Sequence, residues 1–185
     1  MILQKPEGAF CLYVLAHGAG AGMRHPFLQR LSDALGSLGV ATLRYEFPYM
    51  VDGRRRVDPA AVAHGRVREA VRAAADQGLP VFAGGKSYGG RMTSEAQAEE
   101  PLPGVRGLAF VGFPLHPAGK PGTGRAGRLA SVRLPMLFLQ GTRDDLARLD
   151  LLRPVVDGLP HASLHVIDDA DHSFHVRKSS GRTDG

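Results

Sequence analysis

The sequence predicts a doubly wound α/β domain built on a mostly parallel sheet of about six strands. Three observations predict it. Short apolar runs of the kind that buried parallel strands require alternate with helical patterns along the chain. Polar and reactive groups cluster just after those runs, at the carboxyl edge where open parallel sheets place their sites. No repeat and no linker interrupts the alternation, so residues 1–185 read as one domain.

The first strand is Leu12–Ala16, a continuous apolar run that stops at His17-Gly18. From His25 to Leu38 the apolar positions Phe27, Leu28, Leu31, Ala34, Leu35 and Leu38 keep helical spacing, and Gly39 ends the helix. Val40–Tyr45 is the second strand. Pro59 opens a long helix that runs to about Gln77, with Gly78 as its stop. Val81–Ala83 is the third strand and Tyr88–Glu99 the helix after it. Leu108–Gly112 follows as the fourth strand, and Phe113–Gly127 is a loop rich in Gly and Pro, too short for a separate lid domain. Met136–Gln140 is the fifth strand, Leu146–Leu159 a helix, and Ser163–Ile167 the sixth strand.

Composition narrows the function classes. The chain is 43% hydrophobic, ordinary for a globular domain, and has no apolar run long enough to cross a bilayer. Met1–Pro6 lacks the apolar core of a signal peptide, and the one cysteine, Cys11, lies in a strand-like run as a buried thiol would. A cytoplasmic protein is expected. The net charge of +5 raises nucleic acid as a partner, but the arginines are scattered and no nucleic-acid motif accompanies them. Neither a nucleic acid nor a membrane is expected as a partner.

The chemistry lies in four loops. Gly85-Lys86-Ser87-Tyr88-Gly89 reads Gly-x-Ser-x-Gly at a strand-to-helix turn, the pattern of a nucleophile elbow. Its glycines permit a turn tight enough to lift the Ser87 hydroxyl clear of the sheet. His17-Gly18-Ala19-Gly20-Ala21-Gly22 follows the first strand, Gly141-Thr142-Arg143-Asp144-Asp145 the fifth, and Asp171-His172-Ser173-Phe174 the sixth. The chain order is therefore oxyanion loop, serine, acid, histidine. A serine hydroxyl is too weak an acid to attack unaided, so His172 is the expected base and Asp144 the residue that orients it, with Asp145 the substitute. Tyr88 N–H and Ala19 N–H, or Gly20 N–H in its place, are the expected donors to an oxyanion. Two other motifs fail on spacing: a phosphate loop would need glycine where Pro80 stands, and a dinucleotide fingerprint would need one at Met23 or His25. His175, three residues after His172, lacks a third ligand at zinc spacing. His17 is expected to brace its loop, and Glu46, Tyr49 and the Phe113–Pro117 loop are candidate walls of the cleft.

At these residues the chain resembles the α/β-hydrolase superfamily. It is most similar to small dienelactone-hydrolase-like members, which group with a testis-expressed hydrolase-like protein and a subunit of the nonspecific-lethal chromatin complex. The likeness is carried by His17–Gly20, Arg44–Tyr49, Gly85–Gly90, Gly112–Pro117, Gln140–Asp144 and Asp171–Phe174. It implies a compact hydrolase fold without a lid domain, acting on small acyl esters, thioesters or lactones with no metal or organic cofactor. The alternative it implies is a hydrolase-like scaffold or interaction subunit with little turnover. The family's two opening antiparallel strands have almost no room before Cys11. Only Ser173–Gly185 follow the histidine loop, so truncation before a final helix is expected, with apolar surface left beside the last strand and a homodimer as its consequence.

Overall fold

The computed structural model describes residues 1–182. Its elements run β1 (Ile2–Gln4), β2 (Cys11–Ala16), α1 (Pro26–Ser37), β3 (Val40–Tyr45), α2 (Pro48–Val51), α3 (Ala60–Ala75), β4 (Val81–Lys86), α4 (Tyr88–Glu99), β5 (Val105–Val111), β6 (Met136–Gly141), α5 (Leu149–Asp157) and β7 (Ala162–Ile167). One sheet takes the order β1-β3-β2-β4-β5-β6-β7. Every neighbouring pair is parallel except β1 and β3, where Ile2 lies antiparallel opposite Arg44. The sheet thus has seven strands among the described residues, one more than the sequence suggests. The addition is β1, three residues with no readable alternation. Gln4 fastens it to α1 through the Ser32 hydroxyl and the Asp33 carboxylate.

The strand order reverses between β2 and β4. The chain leaves β2 toward β3 on one side and returns to β4 on the other, so the loops after β2 and β4 diverge and open a crevice. That crevice holds His17–Gly22 and Ser87. All six residues of β2 are buried, as a central parallel strand requires. Leu12, Val14 and Ala16 face the larger core, under α3, α4 and α5, whereas Tyr13 and Leu15 pack with Leu28 of α1 on the other face. In the larger core the rings of Phe110, Phe113 and Phe138 meet one another at 4.8 to 5.6 Å.

The face that carries α1 is only partly covered. Over β4 to β7 it leaves an apolar groove of about 480 Å³ lined by Phe82, Leu108, Leu137, Leu139 and Met136, with Phe82 36% and Leu137 38% exposed. It reaches Ala162 and Ser163 at the last strand, where the sequence predicts apolar surface. Two helices begin later than their patterns indicate. Pro59 caps α3 from outside, and α5 starts at Leu149, because the residues before it bond elsewhere: Leu146 N–H to the Asp144 carboxylate and Arg148 N–H to His116 Nε2. Among the described residues no helix is long and apolar enough to cross a membrane.

Candidate active site

β4 delivers Ser87 into a backbone conformation, φ +50° and ψ −116°, that side chains other than glycine rarely adopt. Such a turn costs on the order of 1–3 kcal/mol and persists where the surroundings over-determine it. Ser87 N–H donates to Val111 O at 3.1 Å, which ties the turn to the end of β5. Gly89 allows α4 to leave the turn against β2: a Cβ there would sit 2.6 Å from both Ala16 Cβ and His17 O. The first turn of α4 then presents N–H groups that a helix cannot satisfy internally, Tyr88 N–H first among them.

The structure brings Ser87, His172 and Asp144 into one chain of hydrogen bonds. His172 Nε2 lies 2.9 Å from Ser87 Oγ, and Nδ1 lies 2.7 Å from Asp144 Oδ2. A carboxylate oxygen accepts only, so Nδ1–H donates to Asp144 and Nε2 is left to accept from the serine hydroxyl. Asp144 is 4% exposed, while Asp145 faces solvent and has no part in the chain. Leu146 N–H at 2.8 Å and the Gln140 side-chain amide hold the Asp144 carboxylate, and Gln140 in turn accepts Phe113 N–H at 2.9 Å. The histidine loop is laced by its own acid, Asp171, whose Oδ1 accepts Ser173 N–H and His175 N–H. Arg143 donates to Asp169 O at 2.7 Å and so joins the aspartate loop to the histidine loop.

On the other side of Ser87, His17–Gly22 is braced from beneath. His17 is fully buried; Nδ1–H donates to Gly18 O at 2.7 Å and Nε2 accepts Phe47 N–H at 3.1 Å. Burial pushes its imidazole below the ordinary histidine value, in keeping with this neutral ring. Gly20 N–H donates to Tyr49 Oη at 2.9 Å, so that donor is taken. Ala19 N–H has no hydrogen-bond partner among the described residues, which leaves it rather than Gly20 free for a substrate oxygen. Glu46 accepts Met23 N–H at the loop's end. Glu46 and Tyr49 therefore support the loop and do not line the cleft.

Ala19, Phe27, Arg30, Ser87, Leu146 and His172 line a cavity of about 480 Å³ whose wall carries no acidic side chain among the described residues. The Phe113–Pro117 loop does not reach it. Phe113, Leu115 and His116 turn inward instead, His116 N–H donating to Leu146 O. No three histidine, cysteine or acidic side chains among the described residues gather to hold a metal. Sequence reasoning missed the parts played by Gln140, Tyr49 and Lys86. The Lys86 ammonium donates to His172 O at 2.6 Å, and burial lowers it from the usual lysine value to about 8.

A family model described as the alpha/beta hydrolase domain matches residues 10–185. Among solved structures, an alpha-beta serine hydrolase homologue from Coxiella burnetii matches with a TM-score of 0.76 at 18% identity, over 92% of this chain and 82% of that one. The dienelactone hydrolase of Anabaena variabilis matches with a TM-score of 0.75 at 24% identity, over 93% of this chain and 81% of its own. An α/β serine hydrolase without a lid from Xanthomonas campestris gives 0.69 at 19% identity, over 93% and 79%. At these identities the likeness is one of fold.

Proposed function

Because the chain belongs to the α/β-hydrolase family, we propose that it is a serine hydrolase cleaving small acyl esters, thioesters or lactones through an acyl-enzyme on Ser87. The observation that carries this reading is the continuous hydrogen-bond chain from Ser87 Oγ through His172 to the buried Asp144. Ser87 Oγ attacks the acyl carbon while Nε2 takes its proton, and the imidazolium so formed is held by Asp144. The tetrahedral oxyanion is met by Tyr88 N–H and Ala19 N–H; losing one such donor typically costs about 10²–10³ in rate. Nε2 then passes its proton to the departing alcohol, thiol or ring oxygen as the carbon–oxygen or carbon–sulfur bond breaks. Water repeats the sequence on the acyl-enzyme, giving the acid and free Ser87. The cavity, bounded by Phe27, Leu28 and Leu146, suits a short acyl chain.

The test is covalent labelling by a fluorophosphonate, read by intact mass on the wild type, Ser87→Ala and His172→Ala. One adduct on the wild type and none on either variant is expected. A folded wild type that takes no adduct overturns the reading.

A further inference from the structure

Acyl transfer as described uses the backbone of the elbow and the hydroxyl of Ser87, and leaves Lys86 without a task. Its placement is nevertheless specific. The side chain starts at the last residue of β4, beside Ser87, and runs past Gly112 at the end of β5 to the loop after β7. Gly112 makes the passage: with φ at +67° and no Cβ, it leaves the volume in which an added Cβ would lie 2.9 Å from Lys86 Nζ. At the far end Nζ donates to the backbone carbonyl of His172 at 2.6 Å and lies 5.4 Å from the centre of the Phe174 ring. Phe174, itself at φ +64°, stacks on Phe27 of α1. Among the described residues this ammonium forms no ion pair, so no salt bridge accounts for burying it. A charge-assisted bond to a carbonyl is short and strong. Here it grips the backbone of the residue whose ring must stay on Ser87.

We infer that Lys86 is a positioning residue: its ammonium, fixed on the carbonyl of His172, clamps the histidine loop to the elbow so that Nε2 stays in line with Ser87 Oγ. The inference rests on the serine-hydrolase reading. Lys86 and Ser87 are adjacent in the chain, so one short segment carries the attacking group and the tether of its base. Any drift of the elbow moves both ends together, and their separation is preserved. Positioning of this kind acts on the rate of a bound complex and leaves affinity nearly unchanged, and a displacement of about 1 Å in such a pair can cost 10²-fold.

The charged groups that act on Nζ are Asp144 from the loop after β6 and Asp171 from the loop after β7. Gly112 and Phe174 bring no charge, and His25 and Arg30, at the cap and in the first half of α1, and His175, from the loop after β7, line the same cavity. Both carboxylates favour the ammonium, whereas burial opposes it more strongly. The clamp therefore weakens as pH rises past about 8, and kcat acquires an alkaline limb there.

The experiment compares p-nitrophenyl acetate hydrolysis by the wild type, Lys86→Met and Lys86→Cys, the last in a Cys11→Ala background before and after alkylation with bromoethylamine. Alkylation rebuilds a lysine-length ammonium at position 86 alone. Expected are a fall in kcat of about 10- to 100-fold in Lys86→Met with KM within about twofold, loss of the alkaline limb, and recovery of kcat on aminoethylation. A Lys86→Met protein with wild-type kcat overturns the inference, as does an aminoethylated protein no faster than its unmodified cysteine form. Fluorophosphonate labelling of the wild type separates the two readings. If the wild type labels and turns over while Lys86→Met matches it, the clamp alone fails; if the wild type does neither, the hydrolase reading fails first.

Discussion

At pH 7 the Lys86 ammonium carries its charge in a half-buried place on the cavity wall that has removed part of its water. Its pKa falls from the ordinary 10.5 to about 8, and burial is the leading cause. At about 1.4 kcal/mol per pH unit, holding the charged form in the folded state costs on the order of 3 kcal/mol. Between pH 8 and 10.5 the folded chain binds fewer protons at Lys86 than the unfolded chain does, so stability rises with pH across that window. The penalty is complete below about pH 8 and fades toward 10.5. Methionine has similar length and no charge, and replacing a buried charge with a packed apolar group is often stabilising. The charge-assisted hydrogen bond to His172 O is lost in exchange, at roughly 2 kcal/mol. Lys86→Met is therefore expected to be more stable than the wild type by about 1 kcal/mol at pH 7, in urea unfolding followed by circular dichroism. By pH 9.5 the difference should move by about 2 kcal/mol in favour of the wild type, because the wild type sheds most of its penalty there. Tyr13, Tyr45 and Tyr88 are all raised by burial, Tyr88 to about 12, and are common to both proteins, so they cancel. A gap that does not change between pH 7 and 9.5, or a Lys86→Met protein less stable at pH 7, refutes the reasoning.

Asp144→Asn should lower kcat for p-nitrophenyl acetate by about 10³–10⁴-fold, on the scale of the same change in serine proteases. Both oxygens of Asp144 already accept N–H groups, so an amide there turns its NH₂ toward a donor, whereas the exposed Asp145→Asn should stay within about twofold of wild type; the reverse ranking would place the acid one residue later. Gly89→Ala puts a Cβ 2.6 Å from Ala16 Cβ and His17 O, both parts of the central strand and its loop, so about 1–3 kcal/mol of stability and most fluorophosphonate labelling should be lost together. A Gly89→Ala protein with wild-type melting and labelling would show that α4 leaves the elbow with more room than this.

What the sequence discloses and what it hides divide along a physical line. Buried parallel strands have no polar face, so Leu12–Ala16 and Met136–Gln140 stand out as unbroken apolar runs, and the order of the sheet follows from their alternation with helices. Ser87, Asp144 and His172 are likewise readable as neighbours at one sheet edge, since each stands within a few residues of a strand end and parallel strands bring those ends together. β1 and the true start of α5 are not readable. The first is three residues held by Gln4 on Ser32 and Asp33, and the second is set by bonds that Leu146 and Arg148 make outside any helix.

The same line runs through the site. Groups that act where the chain places them, at a turn or a strand end, leave a local pattern. Groups that act across the fold leave none. Tyr49 takes the N–H of Gly20 across 29 positions and leaves that of Ala19 without a partner among the described residues, and Gln140 holds the Asp144 carboxylate and not that of Asp145. Lys86 reaches His172 across 86 positions, and in the sequence it is only the variable letter of a serine motif. Its meaning appears once the sheet has closed the distance: a cation with no ion-pair partner among the described residues, in a passage kept open by Gly112, bonded to the backbone of the candidate base. A lysine that served only to hold the fold together would not be placed where its charge is opposed by burial. Stability and activity should therefore move in opposite directions at this residue, which a role in packing alone would not produce.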